Sequence, residues 1–185
     1  MTTIHINSMA QDKYFKILEN GTIENIPSLT SSKTDFDFYQ GKWKIKNKKL
    51  KTRLNNCNEW IEFEAKQTMH LMLDGLGNID HFYATFDSIP FEGMSLRLFN
   101  PHTKLWAIYW TDNNSGTLEP PVYGSFYENL GVFVTKDQFD GKEIIVKFEW
   151  DKSDPENPIW RQAFSPDNGN TWEYNWYMYI SKDKE

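Results

Sequence analysis

Trp160-Arg161-Gln162-Ala163-Phe164-Ser165-Pro166-Asp167-Asn168-Gly169-Asn170-Thr171-Trp172-Glu173-Tyr174-Asn175-Trp176 reads as two aromatic-rich strands joined by a turn of Ser, Pro, Asp, Asn and Gly. The turn residues have local reasons to be there: Asp and Ser accept hydrogen bonds from nearby backbone N–H groups, and Gly takes a positive φ. The flanking strands mix three tryptophans with Arg161, Gln162, Glu173 and Asn175. A plain core hairpin does not need that mixture. A pocket does, because ligand sites are mostly apolar with a few placed polar groups.

Working outward from this hairpin, the same strand–turn rhythm runs back to Asp35. Gly41–Lys49 alternates Trp43 and Ile45 against Lys42, Lys44, Lys46 and Lys48. Glu59–Leu73 alternates over a length that suggests a bend. Asp74-Gly75 and Gly77-Asn78 mark a turn. Ile79–Phe86 is a strand, and Ser88-Ile89-Pro90 reads as a break. Met94–Phe99 and Leu105–Thr111 flank the turn Asn100-Pro101-His102-Thr103. Val122–Tyr127, Gly131–Thr135 and Lys142–Asp151 complete the set. About ten strands with short connections must pair antiparallel. Such a chain forms a sandwich or an up-and-down barrel, and a barrel leaves no aromatic-rich edge exposed. The expected fold is all-β, an antiparallel up-and-down barrel of about 8–10 strands over residues 35–182. Residues 1–34 are a polar N-terminal extension without tryptophan, and Asp12–Glu19 has the spacing of a short helix.

Composition agrees with this. The 185 residues include eight Trp and thirteen Phe, which suit pleated, half-buried surfaces. The formal net charge of −6 argues against a general nucleic-acid binder. Cys57 is the only cysteine, so no internal disulfide is available. Met1–Asn7 lacks the basic head and apolar stretch of a secretory signal, and no apolar run spans a bilayer. The expectation is a cytoplasmic protein that is not a membrane protein.

Asp35-Phe36-Asp37-Phe38-Tyr39-Gln40-Gly41-Lys42-Trp43 places Gly-x-Trp at the start of the first barrel strand. This resembles the opening motif of lipocalins and other calycins. In those proteins the Trp packs across the closed end of the barrel, often near an Arg from a late strand. The resemblance offers Arg161 for that partner. Asp35–Trp43, Gly75–Asp80, Ser95–Arg97 through Leu105-Trp106, Phe139-Asp140-Gly141 and Trp160 through Trp176 also look like a bacterial group of unsettled activity labelled DUF1579-like. That resemblance implies a calycin-type barrel and carries almost no function. Ser165-x-Asp167-x-Gly169-x-Thr171-Trp172 is similar to the Asp-box of sialidases, a structural turn. One copy in a chain this short does not make a propeller.

The candidate ligand-binding residues are Trp43, Asn78, Arg97, Trp110, Arg161, Glu173, Asn175 and Trp176. Strand alternation sets Arg161 and Ala163 against Trp160, Gln162 and Phe164. It also sets Glu173, Asn175 and Tyr177 against Trp172, Tyr174 and Trp176. Arg161 and Glu173 belong either to a pocket floor or to an ion pair closing the barrel. Arg97, between Leu96 and Leu98, could clamp an anionic head group if it faces inward. Asn78 either points into a barrel mouth or belongs to the turn. The tryptophans are either pocket walls or core. Lys42–Arg53 holds seven basic residues and no acid, and reads as a solvated strand face whose lysines deter edge pairing. No histidine pair has zinc-ligand spacing, and no P-loop, nucleophile elbow or dinucleotide fingerprint is present. No cofactor, metal or catalytic residue is assigned. The leading expectation is a protein that binds a small apolar or amphipathic molecule inside the barrel. The alternatives are a small barrel enzyme using Glu173 with an Arg clamp, or a ligand-free interaction module that could pair as a homodimer through one sheet face.

Overall fold

The computed structural model describes residues 13–86 and 88–184. Asp12 of the expected helix and the Met1–Asn7 segment lie outside the described residues. Ten strands close into one antiparallel barrel: β3 (Gly41–Leu50), β4 (Trp60–Met72), β5 (Gly77–Phe86), β6 (Ile89–Asn100), β7 (Leu105–Asp112), β8 (Val122–Tyr127), β9 (Leu130–Phe139), β10 (Lys142–Asp151), β11 (Ile159–Ser165) and β12 (Glu173–Lys182). Each pairs with its neighbour in sequence, and β12 pairs with β3 to close the ring. This is the up-and-down barrel expected from the short connections.

Two local expectations are corrected. Of the segment assigned to a short helix, Lys13 and Tyr14 are helical, but Phe15–Ile17 form a strand, β1, paired with β2 (Ile23–Asn25). Phe15 packs on Val132, Val134 and Ile145 of the outer barrel face, so tertiary burial overrides the local helical spacing. Ile89 and Pro90 do not break the sheet. They pair with Phe86 and Thr85 across a tight hairpin. The long stretch expected to bend is one continuous strand of 13 residues, Trp60–Met72, in which Trp60–Met69 pair with β3 and Ala65–Met72 pair with β5.

The barrel has an open end and a closed end. The closed end is plugged by the segment before β3. Phe36 sits edge-on to Trp106, Phe126 and Trp150 with centroids 5.0, 5.1 and 5.7 Å away. Tyr39 stacks on Trp43 at 5.0 Å, and Trp43 Nε1 donates to the Tyr39 carbonyl at 2.7 Å. Buried Asp35 ties the plug down by accepting from Ser31 Oγ (2.7 Å), the Ser32 N–H (3.0 Å) and Trp106 Nε1 (3.1 Å). The Gly-x-Trp motif therefore stands at the closed end. Its cationic partner is Lys182 of β12, whose Nζ lies 3.9 Å from the Trp43 ring centroid and donates to the Gln40 carbonyl at 2.8 Å. Arg161 does not take that part, because its strand parity turns it outward.

The turn after β11 forms as its residues dictate. Ser165 Oγ accepts from the Gly169 N–H at 2.7 Å, Asp167 accepts from the Thr171 N–H at 2.8 Å, and Gly169 has φ +82°.

Candidate functional site

Side chains of alternate residues face inward along every strand. In the half of the barrel nearer the open end they do not meet. They leave a cavity of about 250 Å³. Phe82, Ile108, Trp110, Val122, Phe148, Trp150, Trp160, Trp176 and Met178 form its apolar wall. Gln67, Ser95, Arg97 and Gln162 are buried polar residues on the same surface.

Arg97 and Trp150 separate the cavity from the plug. Arg97 lies among aromatic faces, its guanidinium carbon 5.1 Å from the Phe36 ring centroid and 5.4 Å from that of Trp150. It forms an ion pair with Asp80, which is fully buried, and Nη1 donates to Asn78 Oδ1 at 3.0 Å. Its charge is thus balanced inside the protein. Among the described residues its buried Nε–H has no hydrogen-bond partner, and neither does the Asn78 amide nitrogen. Beside it, Tyr39 Oη donates to Gln67 Oε1. Burial, and next the Asp80 charge, push the Tyr39 hydroxyl well above its ordinary pKa, so it stays a donor.

The mouth is lined by residues from two loops on opposite sides of the ring. Arg53 follows β3, and Glu119 and Pro120 precede β8. Arg53 lies over Phe139 (5.1 Å) and Phe164 (6.0 Å), and among the described residues its buried Nε–H has no partner. Lys49 faces Trp176 across the β3–β12 register, with Nζ 3.8 Å from the ring centroid. Burial, and next the Arg53 charge, bring the Lys49 pKa down to about 8. Burial, and next Asp137 and Asp112, hold the Glu119 carboxyl above its usual value.

The structure brings some of the sequence candidates together and separates others. Arg97, Trp110 and Trp176 border the cavity. Asn78 is in β5, behind Arg97, rather than in a turn or a mouth. Asn175 is fully buried and accepts from Gln162 Nε2 at 2.9 Å, but stands outside the cavity wall. Trp43 belongs to the closed end. Arg161 is on the outer face, paired with Glu149 (3.3 Å) and Asp151 (3.0 Å). There Tyr174 Oη donates to Glu149 Oε1 at 2.7 Å, and Lys147 lies 2.9 Å from the same oxygen. Burial opposes ionisation of Glu149, but Lys147, Tyr174 and Arg161 hold its pKa below the usual range. Glu173 pairs with neither arginine. Its carboxylate accepts from the Leu54 N–H at 2.9 and 3.0 Å and fastens the β3–β4 loop to the rim.

The misplacement of the hairpin has one cause. A register shift between Gln162 and Ala163 puts an extra residue, Asn175, on the β12 side. Parity reverses across such a bulge. Glu173 therefore faces the same side as Trp176, and Tyr174 faces outward with Tyr177. Sequence reading overlooked Lys49, Arg53, Gln67, Ser95 and Glu119. The signal for Lys49 was present, since the alternation placing Trp43 and Ile45 inward continues through Asn47 to Lys49.

Among the described residues no group of three or more His, Cys, Asp or Glu is placed to hold a metal, and no helix is long and apolar enough to cross a membrane. Comparison with known families finds no family model that matches the chain, and no curated protein matches it.

Proposed function

We propose that the protein binds a small, mostly apolar molecule inside a calycin-like barrel. The cavity carries this reading. It is open at one end, walled by tryptophan and phenylalanine, and lined at its inner end by hydrogen-bonding groups. Its 250 Å³ equals the volume of about eight water molecules, and an apolar cavity of roughly 150 Å³ is enough to hold benzene. The size class is about ten non-hydrogen atoms, just under the roughly 300 Å³ at which drug-sized pockets begin. Four cavity-lining tryptophans supply rigid contact area, and the Arg97 Nε–H is a buried donor without an acceptor among the described residues. A ligand carbonyl or hydroxyl would satisfy it, which removes a standing desolvation cost of about 1–3 kcal/mol.

The enzyme alternative has less support. Glu173, its acid–base candidate, is engaged with the β3–β4 loop and does not border the cavity.

Native mass spectrometry of the purified protein tests the proposal, followed by titration with short straight-chain alcohols and acids. The expected result is a one-to-one adduct that denaturation releases, or saturable binding of at least one probe that perturbs tryptophan emission. Absence of both would overturn it.

A further inference from the structure

The mouth of the cavity is electrically lopsided. β3 and β8 stand on opposite sides of the ten-stranded ring. From β3 and the loop after it, Lys49 lies over Trp176 of β12, and Arg53 reaches over Phe164 of β11 and Phe139 of β9. Two of those rings, Trp176 and Phe164, also border the cavity. On the β8 side stands Glu119. Among the described residues neither Lys49 nor Arg53 forms a salt bridge, and the Arg53 Nε–H is buried without an acceptor. The nearby carboxylate, Glu173, is held by the Leu54 N–H.

Two cations on aromatic faces, partly withdrawn from water and close enough to repel one another, give up hydration. A structural role would be expected to give them a carboxylate. The deeper cation, Arg97, has one in Asp80. The contrast separates the two ends of the cavity: the inner end is charge-balanced, and the β3 rim carries an excess of positive charge.

We infer that the ligand is an amphipathic anion whose apolar body fills the cavity and whose carboxylate or similar oxyanion is held at the rim between Arg53 and Lys49. This rests on the ligand-binding reading above. An oxyanion there would accept the orphaned Arg53 Nε–H and relieve the repulsion between the cations. Charge-assisted bonds of this kind are about twice as strong as neutral ones. Glu119 on the far rim disfavours the opposite orientation. The low Lys49 pKa fits a cation without a counter-ion.

The test compares octanoate with 1-octanol, which share a chain and differ in head charge, by calorimetry at pH 7. The expected result is that octanoate binds at least tenfold tighter. The ratio falls toward one in Arg53→Gln and in Lys49→Gln, and Arg53→Lys retains part of it. On the unmodified protein, raising the pH to 9.5 removes the Lys49 proton while octanoate stays ionised, and should lower the ratio severalfold. That arm needs no variant to fold. Equal binding of acid and alcohol, or a ratio insensitive to both substitutions and to pH, would overturn the anion site and leave the cavity reading standing. Binding of neither probe would overturn both.

Discussion

Lys49 Nζ stands 3.8 Å from the centre of the Trp176 ring, and the repulsion from Arg53 beside it is not offset by an ion pair on either cation among the described residues. Cation–π attraction returns about 0.5–2 kcal/mol. That is less than the cost implied by a pKa moved from 10.5 to about 8, so protonated Lys49 destabilises the native state at neutral pH. The sign follows from proton binding. Between pH 8 and 10.5 the unfolded chain holds the Lys49 proton and the native state does not, so this group makes stability rise with pH across that window. Lys49→Met should therefore raise stability at pH 7 by on the order of 2 kcal/mol, and the gain should shrink above pH 9. Urea midpoints at the two pH values check this. A loss of stability at pH 7 would mean that Lys49 is held by a counter-ion.

Arg97 and Asp80 should behave in the opposite way. Both are almost fully buried, and each neutralises the other. Removing one partner leaves an uncompensated buried charge, at a cost of about 3–5 kcal/mol. Arg97→Met and Asp80→Leu are each expected to fall in that range. The double substitution should cost much less than the sum, since no charge is left behind. A double-mutant cycle in guanidinium chloride measures the coupling. Additive losses would contradict the pairing.

Gly93 shapes the cavity wall. A Cβ at this position would lie 2.2 Å from Trp110 Cη2, so the indole ring rests against bare backbone. Gly93→Val must push Trp110 away from β6 and into the cavity. The expected outcome is a folded protein with at least tenfold weaker binding of 1-octanol and altered near-ultraviolet circular dichroism. Unchanged affinity would show that Trp110 does not set the cavity volume.

Much of this architecture was legible in the sequence because it rests on local rules. Period-two alternation from Gly41 onward gave the strands, and the Asn100–Thr103 and Ser165–Thr171 turns gave the hairpins. The same parity set Gln162 and Arg161 on opposite faces, and the structure turns Gln162 to the cavity. What failed was information carried between distant segments. The bulge at Asn175 is set by pairing with β11, and no residue in β12 announces it. Phe15–Ile17 becomes a strand because β9 and β10 offer an apolar outer face to cover. The two arginines could not be ranked from their neighbours. Arg97 differs from Arg161 by facing Asn78 across the β5–β6 register on the barrel's inner side, with Asp80 two residues further along.

Calorimetric titration of 1-octanol into the native protein and into Ser95→Leu tests whether the barrel interior receives a ligand. Ser95 borders the cavity and pairs with Trp110 across the sheet, so leucine there fills part of the space. The expected result is one site in the native protein and at least tenfold weaker binding in the filled variant, with its fold retained by circular dichroism. No binding to the native protein, or equal binding to both, would contradict it.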